Sequence, residues 1–135
     1  MSGAFGQRSR GPGLVDGRLA ACPRSPNCVR SCSPASDGVH HIEPLRFTDP
    51  PSDAWRRLID ILKRQPRTTI VTAEDSYVHA EFTTPVLRFI DDGEFLLDAP
   101  AGVIHVRSAS RLGRTDFGTN RKRIEALRAT FEAHD

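Results

Sequence analysis

Between residues 68 and 111 the chain alternates between strand-like stretches and short turns, and this constrains the fold most. The clearest stretch places Val78, Ala80 and Phe82 on one side of an extended segment, with polar residues on the other. Strands joined by turns this short pair antiparallel. We therefore predict an antiparallel meander of strands at 68–73, 77–84, 86–90, 94–98 and 103–111, with turns at 74–76, 91–93 and 99–102.

Helical periodicity flanks this strand region on both sides. In the first helix, apolar residues recur at helical spacing at Ala54, Trp55, Leu58, Ile59 and Leu62. Pro50 and Pro51 suit a first helical turn, and Pro66 ends the helix. A second helix is predicted over about 117–133, with its apolar stripe at Ile124, Leu127 and Phe131. The predicted class is α+β, an antiparallel meander sheet of four or five strands with two helices packed on one face.

The packing of the first helix leads to two expectations. Trp55 should anchor the helix against the sheet, near Phe82 or Phe89. The opposite face of the sheet is then expected to be an exposed docking surface that carries Tyr77, His79 and Glu81.

The amino-terminal third of the chain lacks apolar periodicity and is rich in Gly, Pro, Ser and Arg. We interpret residues 1–38 as a flexible arm and residues 39–135 as a single α+β domain. Cys22 and Cys28 enclose a Pro-rich loop that a disulfide could close in an oxidising compartment. Free thiols are the preferred interpretation, and Cys32 makes the cysteine count odd.

Overall composition limits the classes of partner. The chain has 135 residues and a formal net charge of +2, and so small a charge does not indicate non-specific binding of nucleic acid. No apolar run approaches the length of a membrane span. Residues 1–13 contain no apolar core of a secretory signal, so we expect a cytoplasmic location, the alternative being an export or organelle signal removed before residue 1.

The predicted junction between the last strand and the second helix concentrates hydroxyl and guanidinium groups around a glycine turn. Such a junction can hold an anion such as a phosphate, carboxylate or sulfonate. The residues predicted to line this anion site are Arg107, Ser108, Ser110, Arg111, Asn120 and Arg121. The competing interpretation is a structural ion-pair network, in which such arginines pair with acids of the neighbouring strand. Its predicted members are Arg88, Asp91, Asp92, Glu94 and Asp116.

Other kinds of site receive less support from the sequence. The spacing of Cys22, Cys28, Cys32 and the nearby histidines matches no common zinc pattern, and no calcium-loop spacing occurs. No nucleotide-binding fingerprint or nucleophile elbow is present. We predict no metal, no cofactor and no catalytic residue.

Several motifs resemble a single family. They are Cys-Pro-Arg-Ser-Pro-Asn-Cys-Val at 22–29, Ala-Glu-Phe-Thr-Thr-Pro at 80–85, Arg-Phe-Ile-Asp-Asp at 88–92, Val-Arg-Ser-Ala-Ser-Arg-Leu-Gly at 106–113 and Asp-Phe-Gly-Thr-Asn-Arg-Lys-Arg-Ile at 116–124. Together they resemble domain-of-unknown-function family 1499, a bacterial and plastid family. The chain departs from the family pattern at Arg30, Cys32 and Gly93. The resemblance implies no established reaction.

The functional expectation follows from these observations. We expect a small binding or assembly-support module, with an anion-binding site at the last strand–helix junction and either a protein partner or a small anionic ligand. The alternative is an enzyme that acts on an anionic small molecule at the same junction.

Overall fold

The computed structural model describes residues 12–112 and 118–133 of the chain. In chain order its elements are β1 (Leu14–Val15), β2 (Arg18–Leu19), β3 (Cys28–Arg30), β4 (Leu45–Arg46), α1 (Pro51–Arg64), β5 (Thr68–Ala73), β6 (Tyr77–Thr83), β7 (Ile90–Asp98), β8 (Val103–Ser110) and α2 (Thr119–Glu132). Six strands form the main sheet in the order β3–β8–β7–β6–β5, and β4 also pairs with β8. These strand pairings are antiparallel, and β1 pairs with β2 as a separate two-stranded hairpin.

Prolines mark both ends of helix α1. Pro51 occupies the first turn, where a missing N–H costs no hydrogen bond. Gln65 is extended, with φ −74° and ψ 135°, because the following Pro66 disfavours the helical conformation there. The residues that α1 buries are Ala54, Trp55, Leu58, Ile61 and Leu62.

Both helices pack on the same face of the sheet. The sheet contributes Val78, Ala80, Phe82, Phe95, Ile104 and Val106 to one buried cluster with the helices. From α2 the cluster receives Ile124, Leu127 and Phe131. Trp55 is 8% exposed and lies in this cluster with Phe82, whereas Phe89 is solvent-exposed. The predicted class, α+β with an antiparallel sheet, is confirmed, and the main sheet has six strands.

Strand β7 corrects the predicted turn at 91–93. The chain runs through these residues as one continuous strand, and the loop between β6 and β7 lies instead at 84–89. Gly93 has a packing role, because a Cβ at this position would lie 2.4 Å from Cε2 of Phe82. Asp91 is paired with Arg123 of α2 and Asp92 with Arg111, which directly follows β8, so the local turn preference of Asp-Gly is overridden.

The predicted boundary between a flexible arm and the domain at residue 38 also requires correction. Strand β3 pairs with β8, and its residues Cys28 and Val29 are buried. Cys22 and Cys28 form a disulfide, so the prediction of free thiols at these two positions is wrong. Cys32 is a free cysteine. The folded unit therefore includes at least β3. The part of the predicted arm at 1–11 lies outside the described residues.

Residues 12–21, called the strap below, lie on the face of the sheet opposite the helices. Leu19 and Ala20 of the strap are buried, with 1% and 2% of their surface exposed. Tyr77 and His79 are buried as well, so this face is not the exposed docking surface that the sequence predicted. Across 12–112 and 118–133, neither helix has the length and apolar character needed to cross a membrane.

Candidate functional site

A fully buried ion pair lies between the sheet and the strap. Arg107 of β8 and Glu94 of β7 are direct cross-strand neighbours, and Nη1 of Arg107 lies 3.5 Å from Oε1 of Glu94. Arg107 also donates to the backbone carbonyls of Ala20 and Ala21, at 2.8 and 3.2 Å. Burial lowers the pKa of Arg107 and the charge of Glu94 opposes that shift. An arginine stays protonated in proteins, so this contact is between two charges.

The same carboxylate connects the strap to β6. Oε2 of Glu94 accepts hydrogen bonds from the Tyr77 hydroxyl at 2.6 Å and from the backbone N–H of Gly13 at 2.7 Å. Burial raises the pKa of Tyr77, and its hydrogen bond to Glu94 raises it further. Arg30 donates to the carbonyl of Leu19 from Nε and Nη2. These groups join the strap to the sheet through charge-assisted hydrogen bonds.

A second polar cluster lies on the opposite face of the sheet, beneath the beginning of α2. Ser108 donates to Oδ1 of Asn120 at 2.6 Å. Nδ2 of Asn120 donates to the Ser110 hydroxyl at 3.0 Å and to the carbonyl of Asn27 at 3.2 Å. All four residues are buried, so these hydrogen bonds satisfy groups that would otherwise be costly to desolvate.

Arg123 of α2 extends this cluster along the sheet. It donates to Asp91 at 2.8 Å, and only 2% of the Asp91 side chain is exposed. Its guanidinium also lies over the ring of Phe82, 4.7 Å from the centroid, where a cation–π interaction is favourable. A buried carboxylate is thereby neutralised next to the apolar core.

The third cluster lies on the strap side of the sheet and is partly open to solvent. Arg111 donates from Nε to Oδ2 of Asp92 at 2.9 Å and from Nη2 to Glu81. His79 lies 2.8 Å from the other carboxylate oxygen of Asp92. The hydrogen bond to Asp92 raises the pKa of Arg111 despite partial burial.

These residues also offer the ligand types of a metal site. Ligand atoms of His79, Glu81 and Asp92 lie within 4.8 Å of one another, the one such group of three among the described residues. However, Arg111 already donates to both carboxylates. Because the guanidinium supplies the positive charge that a cation would bring, the arrangement is better suited to an ion-pair cluster.

The third cluster leads to a prediction about acid stability. Burial raises the pKa of Asp92, but hydrogen bonds from His79 and Arg111 outweigh it, so its pKa is lowered in the folded protein. A lowered carboxyl pKa stabilises the fold above the unfolded value of about 3.9, and this contribution is lost as the pH falls through the folded pKa. We expect the free energy of unfolding to decline below about pH 4 and to decline less steeply in Asp92→Asn.

Urea denaturation at a series of pH values measures this effect. Asp75→Asn, which removes an exposed carboxylate in the turn between β5 and β6, is the control for the loss of one acid. An Asp92→Asn slope equal to that of wild type below pH 4 would show that Asp92 does not contribute to acid unfolding.

The six residues predicted to line one anion site do not converge. Arg107 and Arg111 lie on the strap side of the sheet, whereas Ser108, Ser110 and Asn120 lie on the helix side. Arg121 donates to the carbonyl of Val39 at 3.1 Å, away from both groups. These six residues therefore cannot contact one ligand together.

Three of the five residues predicted for the ion-pair network, Asp91, Asp92 and Glu94, are found in three separate clusters. Each of three acids pairs with a different arginine: Glu94 with Arg107, Asp92 with Arg111 and Asp91 with Arg123. Arg88 is solvent-exposed in the loop at 84–89. Asp116 lies outside the described residues.

A surface feature that the sequence did not predict is the loop at residues 84–89, called the tip loop below. Its base is closed by Thr84, which donates from its N–H to the carbonyl of Phe89 at 2.8 Å and accepts from the Phe89 N–H at its hydroxyl. Val86, Leu87 and Phe89 are 85%, 68% and 60% exposed. Turns normally carry polar residues or glycine, so these apolar side chains are unusual at this position.

One further apolar side chain extends this surface. The N–H of Arg111 donates to the carbonyl of Ile90, so the following residue, Leu112, lies at the same end of the sheet as the tip loop, where its carbonyl accepts from Nδ2 of Asn27 at 3.5 Å. Leu112 is 70% exposed. The tip loop together with Leu112 is called the apolar end of the sheet below. A signal for it is present in the run Pro-Val-Leu-Arg-Phe at 85–89, and the predicted strand at 86–90 is wrong, because only Ile90 of this range lies in a strand.

Charges in the turns are segregated along the strand direction. The apolar end carries two exposed cations, Arg88 in the tip loop and Arg67 in the α1–β5 connection. The connection lies beside the tip loop, because the carbonyl of Arg67 accepts from the N–H of Thr83. The turns at the opposite end contain acids instead: Glu74 and Asp75 between β5 and β6, and Asp98 at the end of β7. The connections at the apolar end therefore carry exposed cations, and the turns at the opposite end carry acids.

The fold and its clusters define a small α+β domain with charged groups paired inside it and one exposed apolar end. The chain belongs to the family described as protein of unknown function DUF1499, whose model matches residues 18–131. A comparison with curated proteins found no match.

Proposed function

We propose that this chain is a small non-enzymatic binding module that docks onto its partner through the apolar end. The observation that carries this proposal is the exposure of four large apolar side chains at one end of the sheet, three of them in the tip loop: Val86, Leu87, Phe89 and Leu112. Isolated apolar residues are normal on a protein surface, but a contiguous exposed group indicates an interaction site.

The shape of the tip loop supports docking. Pro85 restricts the backbone, and two hydrogen bonds between Thr84 and Phe89 close the base. Arg88 has a positive φ of 61°, a conformation that is unfavourable for a residue with a side chain. A loop held in one conformation loses little entropy on binding, so its apolar side chains are presented ready for contact.

The alternative, an enzyme acting on an anionic small molecule at the strand–helix junction, has less support. Its guanidinium groups at Arg107 and Arg111 are bonded to carboxylates and carbonyls of the fold. A ligand would have to compete with these contacts. The hydroxyl groups at Ser108 and Ser110 lie on the other side of the sheet.

Site-specific photo-crosslinking in living cells tests the proposed docking surface. Leu87 is replaced by p-benzoylphenylalanine, and Val39, which is 54% exposed in a different part of the molecule, is replaced in the same way as the control. We expect irradiation to give an adduct, with a protein or with a lipid, from position 87 and none from position 39; mass spectrometry distinguishes the two kinds of adduct. Equal labelling from both positions, or none from position 87, would contradict the proposal.

A further inference from the structure

We infer that the partner of the apolar end is an anionic lipid surface. This inference rests on the proposed function, because it names what the apolar end binds. Three observations support the inference: the apolar side chains of the tip loop are exposed, exposed cations lie near them, and the turns at the opposite end of the sheet are acidic.

The charges favour a negatively charged partner. Arg64, Arg67 and Arg88 are exposed near the apolar end, while Glu74, Asp75 and Asp98 belong to the turns at the far end. A negative surface would attract the first group and repel the second, so the molecule would approach with the tip loop foremost. Each basic side chain near an anionic bilayer strengthens binding roughly fivefold.

The area and shape of the surface favour a bilayer over a folded protein. The four apolar side chains expose on the order of a few hundred Å² in total. A stable protein interface buries about 800 Å² per partner and needs a complementary pocket for each protruding side chain. The interface of a bilayer needs no preformed pocket, and it accepts apolar side chains while the adjacent arginines contact lipid phosphates.

The geometry of the loop suits shallow insertion. Val86 and Leu87 lie at the turn itself, beyond the hydrogen bonds that close the loop base. They can enter the acyl boundary without unfolding the sheet. Arg88 follows directly and would remain at the level of the headgroups, because a long basic side chain can extend its charge toward water and phosphate.

Vesicle co-sedimentation with the full chain tests the inference. The probes are vesicles of phosphatidylcholine alone and vesicles of phosphatidylcholine mixed with phosphatidylserine. We expect binding to the mixed vesicles, little binding to phosphatidylcholine alone, and weaker binding as salt is raised. Leu87→Ser should weaken binding about tenfold, the effect of losing one inserted apolar side chain.

Matched variants separate the apolar end from the rest of the surface. Val39→Ser removes an exposed apolar side chain outside the apolar end and should leave vesicle binding unchanged. Arg88→Gln should weaken binding roughly fivefold, whereas Arg56→Gln, which removes an exposed cation from α1, should change it less than about twofold.

Absence of binding to the mixed vesicles would overturn the lipid inference, and so would binding that Leu87→Ser does not reduce. The proposed function has its own readout. If vesicles are not bound but the crosslinker at position 87 forms a discrete protein adduct, the lipid inference is wrong and docking through the apolar end stands. If neither result appears, both are wrong.

Discussion

Replacing Arg107 with alanine is expected to lower the free energy of unfolding by about 3–5 kcal/mol. Both Arg107 and Glu94 have fully buried side chains, so removing the guanidinium leaves an uncompensated carboxylate inside the protein. It also removes the donor to the carbonyls of Ala20 and Ala21, which hold the strap. Urea denaturation followed by circular dichroism measures the change.

Two further variants establish the cause. Arg56→Ala removes an exposed arginine whose partner Asp53 is 3.8 Å away, and it should cost less than about 1 kcal/mol. The double variant Glu94→Gln/Arg107→Met leaves no charge at the positions of this buried pair and should recover part of the loss. An Arg107→Ala protein within about 1 kcal/mol of wild type would contradict the structural role of the pair.

Replacing Trp55 with alanine should cost about 3–5 kcal/mol, the range for truncating a large buried aromatic side chain. The indole packs in the core cluster, and its N–H donates to the carbonyl of Glu74 at 3.0 Å. It therefore joins α1 both to the sheet and to the turn between β5 and β6.

Trp55→Phe separates these two contributions. It keeps an aromatic ring in the core and removes the hydrogen bond, so we expect a smaller loss of roughly 1–2 kcal/mol. Thermal and urea denaturation of the two variants give the comparison. If Trp55→Ala melted close to wild type, the helix would not depend on this side chain for its attachment.

The sequence predicted the elements whose signals are local. Helix α1 has a regular apolar stripe and proline boundaries, and β5 is β-branched with a turn after it, so both lie where the pattern placed them. The α+β class followed from the order of these elements. Periodicity was informative here because each element buries one continuous face.

Features that depend on distant partners could not be predicted in this way. Asp91-Asp92-Gly93 is typical of a turn, and only its pairing with Arg123, Arg111 and Phe82 explains why it is a strand. The strap has no periodicity because its backbone carbonyls, rather than its side chains, are bonded to Arg30 and Arg107. Backbone contacts of this kind leave no pattern in a sequence.

The predicted anion site failed to converge for a reason that the sequence did contain. Residues alternate across a strand, so Arg107 and Arg111 must lie opposite Ser108 and Ser110. Grouping all of them around one ligand ignored this alternation. Applied strictly, it predicts two separate polar clusters on β8, as the structure has them.

Our central proposal is that Arg107, Arg111 and Arg123 stabilise the fold, while docking occurs through the apolar end. Thermal melts of wild type and Arg111→Gln in phosphate, sulfate and citrate, at ionic strength matched with sodium chloride, test it most directly. We expect only a gradual rise in Tm that both proteins share, since excluded anions stabilise folded proteins generally. A saturable rise with one anion in wild type that is absent from Arg111→Gln would contradict it, because it would show that Arg111 binds a ligand.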